Sequence, residues 1–311
     1  MLASHIAKKL KSRLIGPDID IKKFRSINKA EKFDLVTILH PKDILLAKRT
    51  NASCILVDIN DAAYHAASFP SSIIVVEDVF LSFASFVNFF ISKKKVRNKF
   101  KIGTNTIIHK TAFIDTNVII GENCIIGAGS IILHNTILKN NIIIGANCVI
   151  GGEAFVFAQK NDQSNIRIPA TKGVLIENNV ELGSLTCVDQ GILETTIIKN
   201  RVKIDNIVQI GHDVFIDYDT IICGQSGIAG YAKIGKRCLL GGQSGISSYV
   251  KIGDDVRIDG KSGVFKNIKS KMIVGGTPAM PHEEFIKFSS IRSKLKILFQ
   301  DWYKKKLNKI R

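Results

Sequence analysis

From Ile102 onward the chain places isoleucine, or a close substitute, at every sixth position: Ile108, Ile114, Ile120, Ile126, Ile132, Leu138, Ile144, Ile150, Val156. The beat resumes at Ile192 and runs through Ile198, Ile204, Ile210, Ile216, Ile222, Ile228, Ile234, Leu240, Ile246, Ile252 and Ile258 to Val264. Two residues before many of these sits a small or modest side chain, as at Val118, Cys124, Ser130, Thr136, Thr220, Ser226, Ala232 and Ser244, and glycine often follows directly, as at Gly121, Gly211 and Gly253. Neither a helix, with period 3.6, nor a free strand, with period 2, keeps such a rhythm. A parallel β-helix of hexapeptide repeats does, because each unit is a short strand plus a turn and three units close a triangular coil. Residues eighteen apart then stack about 4.8 Å from one another along the coil axis.

The exceptions to the beat divide the chain. Residues 1–100 lack it. There, apolar runs at 35–39, 54–57 and 73–76 alternate with helix-like stretches at 3–14 and 78–92, which predicts a small α/β domain ending in the basic linker Lys93-Lys94-Lys95 with Arg97 and Lys99. Residues 101–275 form the β-helix. Between Val156 and Ile176 a polar stretch, Gln159 to Asn165, predicts a loop leaving the wall, and a slip of two residues falls around Asp189-Gln190-Gly191. In residues 276–311, after Gly275-Gly276-Thr277-Pro278, Phe288, Ile291, Leu295, Leu298 and Trp302 take the 3,4 spacing of a helical packing seam. Around them lie many lysines and arginines, which fit both a solvated face and a platform for an acidic protein.

Composition changes this picture little. The net charge of +17 accompanies an excess of Lys, Ile and Asn throughout, and no basic run is interleaved with stacking aromatics, so nucleic acid is not an expected partner. The six cysteines have neither metal nor disulfide spacing, which is reduced, cytoplasmic usage. No signal peptide opens the chain, and the most apolar segment, 73–91, is interrupted by Glu77, Asp78 and Asn88, so no transmembrane segment is expected.

Histidine is the informative type for chemistry near neutral pH. His5, His65, His109, His134 and His282 have no companions that suggest metal binding, and no metal or cofactor is expected. His212 lies two residues past Ile210, on a turn expected to face outward. Counting eighteen places Gly230 over it, leaving room for a substrate beside a backbone N–H. A general base next to a backbone donor suits acyl transfer.

The string Lys203-Ile204-Asp205-Asn206 through Gln209-Ile210-Gly211-His212 resembles the UDP-3-O-acylglucosamine N-acyltransferases of lipid A biosynthesis. So do Ile150-Gly151-Gly152, Ile168-Pro169, Val188-Asp189-Gln190-Gly191 and Gly275-Gly276-Thr277-Pro278-Ala279. The resemblance covers almost the whole chain. It implies a left-handed parallel β-helix in a homotrimer, with an acyl chain passing from acyl carrier protein to the amine of a UDP-sugar. In that reading His212 is the base, Gly230 supplies the oxyanion N–H, and Asp205 orients or charge-stabilises His212. His40, Lys42, Gln209 and Tyr249 are the matching substrate-binding candidates, and the terminal helix helps to dock the acidic carrier. The chain departs from the family at four places, one of them the glycine-phenylalanine segment of the insertion, which here reads Gly152-Glu153-Ala154-Phe155-Val156-Phe157. Tyr249 stands where many members have a second histidine, Gln190 replaces an arginine, and the uracil-binding Phe, Asn and Tyr fall on Thr37, His40 and Asp43. On the residues alone, another hexapeptide acyltransferase or a non-catalytic paralogue also stays open.

Overall fold

The computed structural model describes residues 1–39, 43–65, 68–91, 101–292, 294–295 and 299–300. From Lys101 the chain winds as a prism with three parallel sheets, one per side. The first face runs from Lys101–Ile102 to Lys251–Ile252, the second from Ile107–Ile108 to Ile273–Gly275, and the third from Phe113–Ile114 to Gly263–Val264. Most rungs are two-residue strands whose second residue is the aliphatic of the hexad. Ile120, Ile126, Ile132, Leu138, Ile144 and Ile150 are all buried and pack along the axis.

The modest residue two places earlier also points inward. Val118, Cys124, Ser130, Thr136 and Cys148 are fully buried; Ser130 Oγ donates to the Gly145 carbonyl at 2.6 Å, whereas Thr136 Oγ1 has no partner among the described residues. Just before the modest residue, nearly every corner takes a left-handed φ: 55° at Asn105, 58° at Asn117, 55° at Asn123 and 60° at Asn135. Asparagine tolerates that region better than most side chains, which accounts for its abundance in the early coils.

The structure corrects the reading of both interruptions. Val156 and Ile192 keep the beat in sequence but leave the axial column, packing instead with the core of the N-terminal domain. The column breaks after Ile150 and is resumed by Ile176, twenty residues later than the regular register, and the excursion carries an antiparallel hairpin of Phe157–Gln159 and Asn165–Arg167. The second slip is four residues, not two. Ile176 pairs with Ile198 and Val188 with Ile210, four more than the regular eighteen. An aliphatic at the expected spacing is thus not sufficient to place a residue on the axis.

Residues 1–91 form a five-stranded sheet in the order Arg13–Ile15, Ser72–Val76, Cys54–Asp58, Asp34–Thr37, Lys23–Phe24, parallel except for its first strand. The helix expected over 3–14 stops at Lys9, and Val79–Ile91 is helical. This domain rests on the two interruptions. Phe24, Phe83 and Phe86 share a core with Ala154, Ala158, Ile168, Ala170 and Ile192. Lys172 Nζ donates to the Phe24 carbonyl at 3.0 Å, and Asn88 Nδ2 to the Arg167 carbonyl at 3.1 Å.

At the far end, Met280–Pro281 adds an antiparallel edge strand and His282–Arg292 forms a helix on which Ile286, Phe288 and Ile291 are exposed. Leu298 and Trp302 of the expected seam lie outside the described residues, as does the basic linker. Among the described residues no helix is long and apolar enough to cross a membrane, and no cluster of His, Cys, Asp or Glu could hold a metal ion.

Candidate active site

All the irregularities fall at one edge of the prism, where the third face turns into the first. On successive coils that edge carries the hairpin excursion, the extra loop around Gly191–Glu194, then His212-Asp213, Gly230-Tyr231 and Ser248-Tyr249. His212 lies on the expected turn but is covered rather than exposed. It is 8% exposed, beneath Tyr231, whose ring meets it edge-on at 4.9 Å and 89°. Tyr249 then stacks on Tyr231 at 4.7 Å with rings 8° apart.

The four-residue slip explains how His212 is held. Its loop aims three consecutive amides at the Asp213 carboxylate: Ile192 N–H at 2.7 Å, Leu193 at 2.9 Å and Glu194 at 2.5 Å. The remaining acceptor direction of Asp213 receives His212 Nδ1 at 2.9 Å. With Nδ1 donating to a fixed carboxylate, Nε2 is the nitrogen left to accept a proton. Nε2 faces Gly230, where any Cβ would lie 2.3 Å from it. Gly230 is therefore required for space, since its own φ is ordinary.

At several regular corners the amide two residues past the core aliphatic is capped by a side chain of the neighbouring coil. Glu122 N–H donates to Asn140, Asn178 to Asn200 and Lys236 to Asp254. The equivalent Gly230 N–H has no acceptor among the described residues. The site thus pairs an open imidazole nitrogen with an open amide.

Asp205, expected to orient His212, sits at a different corner, and this placement departs from the sequence reading. Its carboxylate accepts the N–H of Asn206 at 2.7 Å and of Gly224 at 3.0 Å, so it caps two turns. Asp213 occupies the orienting place instead. It was visible as the residue after His212, but the loop that makes it matter is a long-range contact. Gln209 lies on the outer surface of the third face and reaches toward Asp189. Burial pushes the Asp189 carboxyl up to about 6, against the Gln209 hydrogen bond and the charges of His212 and Arg167. Burial likewise raises the Tyr231 and Tyr249 phenols above their usual range, so they serve as hydroxyl donors rather than bases.

Two cavities adjoin this edge. One, of about 250 Å³, has His212, Tyr231, Ser248 and Tyr249 on one wall and Leu39, Phe80, Phe83, Phe155, Val156 and Ile168 around it. The other, of about 410 Å³, lies between the N-terminal domain (Ser26, Asn28, Thr37, Asp43) and the coil (Glu194, Tyr231, Lys233, Tyr249, Lys251). Thr37 and Asp43, two of the three positions matched to uracil recognition, line it, and Thr37 Oγ1 is buried without a hydrogen-bond partner among the described residues. His40 and Lys42 lie outside the described residues.

A family profile described as bacterial transferase hexapeptide (six repeats) matches residues 101–134, and one described as hexapeptide repeat of succinyl-transferase matches 231–260. A UDP-3-O-acylglucosamine N-acyltransferase from Campylobacter lari is 34% identical over 319 residues, covering 93% of this chain and 97% of the relative. One from Delftia acidovorans is 37% identical over 257 residues, covering 78% and 75%. Among solved structures, a UDP-N-acetylglucosamine acyltransferase from Campylobacter jejuni superposes with a TM-score of 0.51 at 22% identity, over 58% of this chain and 69% of that one, a likeness of fold.

Proposed function

The chain belongs to the UDP-3-O-acylglucosamine N-acyltransferase family and is an acyltransferase, and from that premise we propose how its site carries out the transfer. The acceptor amine attacks the acyl thioester carbonyl. A nitrogen–carbon bond forms, the amine proton passes to His212 Nε2, and the tetrahedral oxyanion is received by the Gly230 N–H. Collapse breaks the carbon–sulfur bond, and the proton held by His212 goes to the leaving thiolate. Asp213 holds the imidazole in the required tautomer and stabilises the cation formed on it.

The observation that carries this reading is the meeting of an open His212 Nε2 and an open Gly230 amide, with His212 on the wall of an apolar cavity. A general base contributes about 10²–10⁴-fold and one oxyanion donor about 10²–10³-fold. The apolar lining suits an acyl chain, and the family name supplies the acceptor, UDP-3-O-acylglucosamine, as a lipid A precursor.

Acyl carrier protein as donor fits the net charge of +17 and the basic residues gathered after Lys287. A trimer fits the outward rungs Ile107, Ile125 and Ile143 of the second face, which stay 64%, 45% and 42% exposed in one chain. A cytoplasmic site of action fits six cysteines that are all free thiols. The direct test incubates purified protein with a 3-hydroxyacyl carrier-protein thioester and UDP-3-O-acylglucosamine. The expected product is the N-acylated sugar nucleotide, formed by the wild type and lost in His212→Ala. Undiminished product from that variant overturns the mechanism.

A further inference from the structure

The larger cavity contains a charge arrangement that the acyl-transfer chemistry does not use. On the first face the outward position runs Ile197, Phe215, Lys233, Lys251 up successive coils, with each residue the register partner of the next. The column turns from apolar to cationic where the cavity begins, and both lysines line it. Like charges on adjacent rungs repel. Elsewhere on the prism, cations one rung from a neighbour are matched by carboxylates: Lys199 with Glu177, Arg201 with Asp219, Lys203 with Glu181 and Arg237 with Asp255. Among the described residues neither Lys233 nor Lys251 makes a salt bridge.

Three carboxylates share the cavity. Glu194 is held by Ser26 Oγ and Lys29 Nζ, each at 2.6 Å, although its charge also feels Lys233. Asp213 is filled by three amides and His212. Asp43 is the third, on the N-terminal wall.

We propose that Lys233 and Lys251 form a diphosphate-binding ladder that grips the diphosphate of the nucleotide-sugar acceptor in the cavity between the N-terminal domain and the coil. This rests on the acyl-transfer reading above. The placement suits that substrate. Lys233 lies three residues beyond Gly230, at most about 10 Å of extended chain, and the acceptor carries its diphosphate on the carbon adjacent to the one bearing the reacting amine. Two ammonium groups one rung apart offer separate donors to the two phosphoryl groups, and a bound dianion removes their mutual repulsion. The phosphodiester of a carrier's pantetheine arm presents related chemistry. The diphosphate is favoured because the N-terminal wall opposite the lysines contributes Thr37, with its unpartnered hydroxyl, and Asn28, as polar partners for a nucleoside.

The experiment titrates full-length protein calorimetrically with UDP, UMP, uridine and 4′-phosphopantetheine, for the wild type, Lys233→Ala, Lys251→Ala, the double variant, and Lys203→Ala on another face as control. The expected result is that wild-type affinity falls from UDP to UMP to uridine. Each ladder variant weakens UDP by roughly tenfold or more, as expected for a charge-assisted contact. Uridine binding stays unchanged, Lys203→Ala matches wild type, and the acceptor KM rises while kcat stays within a few fold. Melting temperatures no lower than wild type show that the variants fold. The ladder is overturned if the double variant binds UDP as wild type does, if wild type does not bind UDP, or if only pantetheine phosphate responds. Lysine-dependent UDP binding without acyl transfer would sink the functional reading and leave the ladder standing. Acyl transfer with lysine-independent UDP binding would do the reverse.

Discussion

Two edges of the same prism have opposite characters. Where the first face turns into the second, every coil from Asn105 to Asp255 takes the same left-handed corner, filled by Asn105, Asn123, Asn141, Asn179, Arg201, Asp219, Arg237 and Asp255. Side chains bond up that column, as in Asn141 to Asn179 and the bidentate pairs Arg201–Asp219 and Arg237–Asp255. Where the third face turns into the first, the column begins the same way with Asn117 and Asn135, then breaks twice and resumes with Asp213, Tyr231 and Tyr249. A repeated corner can only repeat its chemistry, whereas a site needs different groups on successive coils. Confining every departure to one edge leaves the other two to hold register, so the interruptions cost the coil little and give the N-terminal domain its seat.

The largest expected effect falls where the irregular edge carries the buried imidazole of His212. His212→Ala should lower the turnover of acyl transfer by roughly 10²–10⁴-fold while leaving the melting temperature close to wild type, since the axial core is untouched. Steady-state assay and calorimetry of the same preparation check both halves. If turnover were retained, this edge would be a docking feature only.

A sharper contrast lies within one strand and its turn. Gly227 and Gly230 are three residues apart, yet a Cβ at Gly227 meets nothing within 4 Å while one at Gly230 lies 2.3 Å from His212 Nε2. Gly230→Ala must displace the imidazole, and a misplacement of about 1 Å costs on the order of 10²-fold in rate. Gly227→Ala should fold and turn over as wild type does. Equal losses in both variants would mean that glycine serves the strand rather than the site.

A smaller effect tests how the loop reaches the histidine. Asp213→Asn keeps the shape but can turn an amide NH₂ toward the loop amides or toward Nδ1. Turnover should fall by more than tenfold, with a smaller change in acceptor KM. Asp205→Asn, at the other corner, should change turnover far less. The reverse order would restore Asp205 to the orienting role.

Much of this was readable in the sequence. The period of six gave the prism, and counting eighteen from His212 reached Gly230 because parallel rungs impose that register. The same count from Tyr231 reaches Tyr249, so the stacked pair was legible too. The interruptions were not. Val156 and Ile192 fit the period but serve another core, because spacing reports only what a regular coil would do and not where a loop rejoins it. The choice of Asp213 over Asp205 was hidden for the same reason, since it depends on amides of Ile192, Leu193 and Glu194 brought in by that loop.

The smallest effect separates stability from catalysis at the irregular edge. Asp189 precedes the loop and is half-buried, and burial raises its carboxyl from the ordinary range to about 6. In the unfolded chain this group ionises near pH 4, so between pH 4 and 6 the unfolded state loses its proton first. Stability from this residue therefore declines as pH rises through that window and stays low above it. Removing the ionisable group should reverse the loss: Asp189→Asn should melt higher than wild type at pH 7.5 and equally at pH 4. The gain should be modest, because solvent reaches the carboxyl and screens its charge. The regular edge supplies the opposite sign. Asp255 is held below the ordinary carboxylate range by the Arg237 hydrogen bond, so Asp255→Asn should lose stability at pH 7.5 and regain parity as pH falls. Parallel melting curves for the two variants would show whether the edges differ in sign. If both moved the same way, the contrast between a regular edge that favours its charges and a site edge that opposes one of them would fail.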